Sequence, residues 1–209
     1  FAVSFVTAYQ MRPVIYRNTV VWQDNYDGDF DIYGSDVFRR ESPEEFIIGA
    51  YTGQQQRPAL WGEWVVYEDD FSGRWQIYAS DISDKDAIVE RVITDSGHDS
   101  RNADIYGNII VWQDNRKGNW DIFGYNLVTG EEFVITDNAE DQTNPAIWGN
   151  RVVWEDERGG AKNIYITELS GSVVADCSSR LSGDANGDCE VNFEDFALMA
   201  GNWLESNLE

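Results

Sequence analysis

The chain has 209 residues, enough for one sizeable core and a small appendage, and its 38 acidic against 15 basic residues leave a net charge of −23. That balance argues against binding nucleic acid or inserting into an anionic membrane, since both need a basic footprint; it suits a soluble surface, high salt or divalent cations. Aromatic residues at 14%, with 9 Trp, argue against disorder, and no apolar run approaches the roughly 18 residues of a membrane helix. The chain opens on Phe1, so a processed or trimmed product that has lost a secretory signal is expected.

One pattern recurs along the chain. It reads Val20-Val21-Trp22-Gln23-Asp24, Val65-Val66-Tyr67-Glu68-Asp69, Ile110-Val111-Trp112-Gln113-Asp114 and Val152-Val153-Trp154-Glu155-Asp156, in steps of 45, 45 and 42 residues. A fixed period of that size signals a solenoid, an array or a propeller. Each repeat predicts the same units in order. The first is a short strand ending in an aromatic: Val14-Ile15-Tyr16, Ala59-Leu60-Trp61, Asp104-Ile105-Tyr106 and Ala146-Ile147-Trp148. A turn follows, clearest at Gly107-Asn108 and Gly149-Asn150. The Val-Val-Trp strand comes next, then a polar loop holding Gly28, Gly73, Gly118 or Gly160. The third strand is Asp31-Ile32-Tyr33, Gln76-Ile77-Tyr78, Asp121-Ile122-Phe123 and Asn163-Ile164-Tyr165; the fourth is Phe46-Ile47-Ile48, Val89–Ile93 and Phe133-Val134-Ile135. Four short antiparallel strands per unit predict an all-β, four-bladed β-propeller over residues 1–176, followed by a small module over 177–209.

These residues resemble the TolB-type propeller repeat. Pro145-Ala146, the hairpin from Asp156 to Gly160, Asn163-Ile164-Tyr165 and the turn Thr129-Gly130-Glu131 carry the resemblance, which covers about residues 8–170. It implies the fold. Relatives include translocation factors, peptidase gating domains, lyases and surface proteins, so it implies no single function. Propellers run from about 4 to 8 blades and relatives of this kind more often have about six, so four blades make a small ring or a piece of one. The fourth repeat lacks a clear outer strand. Ser4-Phe5-Val6-Thr7, which looks like Glu132–Thr136, could supply it and close the ring; Ser172-Val173-Val174 competes for the same slot. If the latter wins, Phe1–Thr7 is left to pair with another molecule.

From Gly183 the pattern changes. Asp184, Asn186, Asp188, Asn192 and Asp195 place oxygen side chains at positions 1, 3, 5, 9 and 12 of a loop, and Glu190 offers a backbone carbonyl at position 7. A hard cation such as Ca²⁺ takes about 6–8 oxygens, and this spacing wraps them around one point. The helix that must follow presents Phe196, Met199, Ala200, Trp203 and Leu204 on one face. The segment resembles one calcium loop of a dockerin, an EF-hand-type module. That implies Asp184, Asn186, Asp188 and Asp195 as side-chain ligands, Glu190 as a backbone ligand and Asn192 as a ligand directly or through water. Cys189 stands where the family has Gly, Phe193 and Glu194 replace small hydroxyl residues used in cohesin recognition, and one loop is present where a dockerin has two. Ordinary cohesin docking is therefore not implied. Cys177 and Cys189 are the only cysteines. An even pair fits an oxidising compartment, with two buried thiols as the alternative. A bridge between them would tie the start of the loop to its sixth position and be worth roughly 3 kcal/mol.

Catalysis is not expected. His98 is the one histidine, in the polar segment Asp95–Ser100, and supplies neither a His-rich metal site nor more than one candidate base. Lyases on this propeller hold a metal with several histidines. The carboxylates Asp24, Asp69, Asp114 and Asp156 recur once per repeat, which points to a role in the hairpin rather than to a catalytic pair. Tyr16, Trp61, Tyr106 and Trp148 recur at one first-strand position, a candidate girdle that either packs blades together or stacks on sugar rings. The reading is thus a non-catalytic extracellular or cell-surface structural protein with Ca²⁺ as its cofactor. It would assemble through its termini with itself or another surface protein, in a filament or surface layer. The alternative is a carbohydrate- or protein-binding module anchored by the tail.

Overall fold

The computed structural model describes residues 2–4, 7–38 and 44–170. Within them the chain forms fifteen strands in four antiparallel sheets, and no helix. The first sheet holds β1 (Gln10–Tyr16), β2 (Thr19–Asp24), β3 (Asp31–Asp36) and β4 (Glu44–Gly49). The second holds β5 (Gln55–Trp61), β6 (Trp64–Asp69), β7 (Gln76–Asp81) and β8 (Val89–Val92). The third holds β9 (Ser100–Tyr106), β10 (Ile109–Asp114), β11 (Asp121–Asn126) and β12 (Glu131–Val134). The fourth has three strands among the described residues: β13 (Gln142–Trp148), β14 (Arg151–Asp156) and β15 (Asn163–Glu168). Within each sheet the strands pair in chain order, so every connection is a hairpin.

In the second and third sheets the second strands read as apolar runs and both their faces are covered. Ile109–Asp114 is buried along its whole length. Three apolar layers hold the sheets together. Val21, Ile32 and Ile48 of the first sheet meet Val65, Tyr67 and Ile82 of the second. Val66, Ile77 and Ala79 meet Ile105, Ile110, Trp112 and Phe123 of the third. Val111 and Ile122 meet Ile147, Val152 and Trp154 of the fourth. In each layer the same face of one sheet meets the opposite face of the next. Each layer excludes water from large β-branched and aromatic groups, at roughly 25 cal/mol per Å² of apolar surface buried.

The stack has two open ends. Ile32, Ile77 and Ile122 are fully buried, but Ile164 at the same position of the fourth sheet is 73% exposed, and Ile166 is 62% exposed. At the other end Ile15 is 65% exposed, where Ile105 and Ile147 are 4% and 6% exposed. The described residues therefore do not complete the expected closed ring, although Trp22 on the outer face of the first sheet is only 5% exposed. Ser4-Phe5-Val6-Thr7 lies partly outside the described residues and Ser172-Val173-Val174 wholly so; Ala2–Ser4 and Thr7 belong to no strand.

In the first and third sheets a glycine of the third strand lies opposite a phenylalanine of the fourth, Gly34 against Phe46 and Gly124 against Phe133. A Cβ added at Gly34 or Gly124 would sit 2.5 or 2.4 Å from that ring. The second and fourth sheets have Ala79 and Ile166 at this position.

Candidate functional site

The four inner strands converge on one cavity of about 440 Å³. Arg12, Arg57, Asn102 and Asn144 line it at equivalent positions. All four are left-handed, with φ of 53, 57, 53 and 53°, next to a register shift in their strand. Arginine rarely adopts this conformation and asparagine does so more readily. At three of the four the backbone N–H reaches the preceding sheet. The Arg57 N–H donates to Gln23 Oε1 at 3.0 Å, the Asn102 N–H to Glu68 Oε1 at 2.7 Å and the Asn144 N–H to Gln113 Oε1 at 2.9 Å. The corresponding residue of the fourth sheet, Glu155, accepts instead from Lys162 Nζ at 2.8 Å.

Glu68 is fully buried. Burial pushes its carboxyl above the usual glutamate range, opposed by the Asn102 N–H and by the guanidinium groups of Arg101 and Arg57. Side-chain amides continue the chain of bonds around the axis. Arg57 Nη1 donates to Asn102 Oδ1 at 2.7 Å, and Asn102 Nδ2 donates to Asn144 Oδ1 at 2.7 Å and Gln113 Oε1 at 2.8 Å.

The predicted girdle is a cluster at the C-terminal ends of the inner strands. Ring centroids lie 5.1 Å apart for Tyr16 and Trp61, 4.1 Å for Trp61 and Tyr106, 4.9 Å for Tyr106 and Trp148, and 5.7 Å for Trp61 and Trp148. The rings touch one another across sheets. Trp148 also stands well out into solvent.

No family model matches the chain, and no curated protein matches it. Solved structures do. TolB from Acinetobacter baumannii matches with a TM-score of 0.61 and 16% identity, over 80% of this chain and 43% of its own. A TolB from Agrobacterium tumefaciens gives 0.58 and 16%, over 73% of this chain and 58% of its own. A puromycin-hydrolysing peptidase from Mycobacterium tuberculosis gives 0.60 and 12%, over 78% and 28%. The fold is a TolB-type β-propeller. The chain spans about half the length of these TolB structures, 43% and 58%, and the likeness at such identity carries fold alone. A propeller of this type occurs both in TolB and in peptidases, so the fold does not settle catalysis either way.

Each blade of this propeller carries its repeated aspartate at the start of the outer hairpin. The carboxylates accept from the backbone N–H two residues on: Asp24 from Tyr26 at 2.8 Å, Asp69 from Phe71 at 2.6 Å, Asp114 from Arg116 at 2.8 Å and Asp156 from Arg158 at 2.9 Å. This is the hairpin role that recurrence predicts. In blades 3 and 4 the residue two positions on adds a guanidinium. Arg116 lies 4.3 Å over the Phe123 ring and bridges Asp114 Oδ2 at 2.7 Å to Glu132 Oε1 at 2.6 Å. Arg158 lies 4.4 Å over the Tyr165 ring, with Nε donating to Asp156 Oδ1 at 2.9 Å. Burial alone would raise Asp114; the bonds from Arg116 and Ser100 outweigh it and hold its carboxyl low. Blades 1 and 2 carry Tyr26 and Phe71 there. In blade 2 a cavity of about 280 Å³ remains, lined by Tyr51, Asp69, Phe71, Tyr78, Glu90 and Val92.

That cavity was missed by sequence reasoning, although the exchange of Arg116 and Arg158 for Phe71 is visible once the repeats are aligned. His98 sits on the exposed connection between β8 and β9, where its backbone carbonyl accepts from Gln76 Nε2 at 2.8 Å. The proposed calcium ligands Asp184, Asn186, Asp188, Glu190, Asn192 and Asp195, and the pair Cys177 and Cys189, lie outside the described residues.

Proposed function

We propose that this chain is a non-catalytic structural protein of the cell surface or extracellular space, a propeller that assembles through its ends with further copies or with another surface protein. The support is the pair of open faces. Ile15 and Val20 on blade 1, and Val153, Ile164 and Ile166 on blade 4, belong to the two faces that meet at each of the three internal junctions. Each face is therefore shaped to receive the other, and a second copy brings the missing mate. The polar pattern agrees: Glu155 holds the place from which Gln23, Glu68 and Gln113 reach the next blade, and Arg12 holds the receiving place. A head-to-tail contact of this kind builds rings or open filaments. The C-terminal loop adds a Ca²⁺ requirement, with Asp184, Asn186, Asp188, Asn192 and Asp195 as side-chain ligands and the Glu190 carbonyl completing the set.

Light scattering on the full chain, with calcium and with a chelator, tests this. Particles larger than the monomer in calcium are expected, reduced by Ile164→Glu with Ile166→Glu and by Asp184→Ala. A monomer at every protein concentration, with and without calcium, overturns it. One observation favours a second reading. The exposure of Trp148 beside Trp61 and Tyr106 leaves an aromatic face for a sugar ring. Glycan binding lost on Trp148→Ala, in a protein that stays monomeric, would move the assignment to a carbohydrate-binding module.

A further inference from the structure

The rim cavity of blade 2 is a seat whose counterparts in two other blades are already occupied. The strand registers fix the correspondence. Asp69, Phe71, Tyr78 and Glu90 stand where blade 3 has Asp114, Arg116, Phe123 and Glu132. In blade 3 the ring, the buried aspartate and the glutamate together hold one guanidinium. Blade 4 repeats the aspartate, the ring and the arginine. Blade 2 keeps both carboxylates and the ring but exchanges the arginine for Phe71, whose side chain is largely exposed. Tyr51 adds a second aromatic wall.

We propose that this cavity binds the guanidinium of an arginine side chain on a partner polypeptide. Two carboxylates without a cation among the described residues are one observation; the same positions holding an arginine twice in the same molecule are a second, independent one. The chemistry agrees. Burial, with Asp69 adding to it, pushes the Glu90 carboxyl up, and burial does the same to Asp69, whereas Asp114 beside its arginine is held low. An arriving cation relieves that unfavourable charge. The glutamate is prepositioned, since the Tyr67 hydroxyl donates to Glu90 Oε2. A planar fork suits the seat better than an ammonium. In blade 3 separate nitrogens of one side chain reach the aspartate and the glutamate while the plane rests on the ring. A volume of about 280 Å³ suits a single side-chain head whose stem leaves toward solvent.

The test is titration of the full chain with the blocked tripeptide acetyl-Gly-Arg-Gly-amide, followed by amide shifts of residues 69–71, 78 and 90 in NMR. Saturable shifts are expected, weaker for the lysine peptide and absent for the neutral citrulline peptide. Glu90→Gln should weaken binding by about tenfold or more. Phe71→Arg should abolish it by filling the seat from within, and spectra unchanged elsewhere will show that both variants fold. Equal binding of the citrulline peptide, undiminished binding by Phe71→Arg, or no saturation overturns the proposal. Free L-arginine binding more tightly than the peptide overturns the partner assignment and makes this a small-molecule site. These outcomes do not depend on whether the end faces self-assemble.

Discussion

Asp31 begins β3 with three other acids close by. Burial, then Asp27, Asp29 and Asp24, push its carboxyl up from 3.8 to about 6. The folded chain therefore holds this proton up to about pH 6, while the unfolded chain releases it near 3.8. The native state binds more protons across that window, so this group's contribution to stability falls as pH rises through it. Replacing Asp31 with Asn removes the charge and keeps the shape. Thermal unfolding of Asp31→Asn should show a gain of order 1–3 kcal/mol at pH 7, fading below about pH 4. An unchanged difference across that range would mean the carboxyl titrates normally. Most of the repeat's individual residues were legible from recurrence alone. The aspartates of the hairpins and the four ring positions repeat too regularly for chance, and every one of the aspartates accepts from the N–H two residues on. The left-handed bulges were not legible. Nothing about Arg57 as a residue type predicts φ of 57°; the conformation goes with a register shift in its strand, where its N–H meets the Gln23 acceptor 34 residues away.

At the scale of the strand, the Val-Val-Trp runs marked the second strand of every blade, and in blades 2 and 3 that strand is covered on both faces. What the strings of residues could not display was partnership between strands. The guanidinium seat of blade 3 exists because β12 lies beside β11 and brings Glu132 back to Arg116, 16 residues apart. Its vacant counterpart needs the same pairing between β7 and β8 to be seen. Pairing also explains the glycines. Gly124 is required by the Phe133 ring that lies across it, so Gly124→Ala forces the ring or the strand to move. A loss of about 1–3 kcal/mol is expected from such overpacking, measured by denaturant unfolding. A double variant with Phe133→Leu should recover part of it, since the shorter side chain vacates the space.

For the molecule as a whole, the apolar layers among the described residues join each blade to its neighbours in sequence, so the first and last blades share one layer each. A propeller whose ends locked together would have no weakest unit. Among the described residues this one has two, and they differ. Blade 1 keeps four strands, whereas blade 4 has three among the described residues and exposes two isoleucines. In an architecture held by nearest-neighbour junctions, unravelling starts where one junction is missing and passes inward. Native-state hydrogen exchange of the monomer should therefore be graded rather than uniform. Amides of β10 are expected to be the slowest, those of β15 the fastest of the central strands, with opening free energies well below the global value. A partner seated on blade 4 would slow β15 selectively. Anything that grips the end would thus set the lifetime of the fold as well as its neighbours, and a copy left without company would be the one first opened to proteolysis.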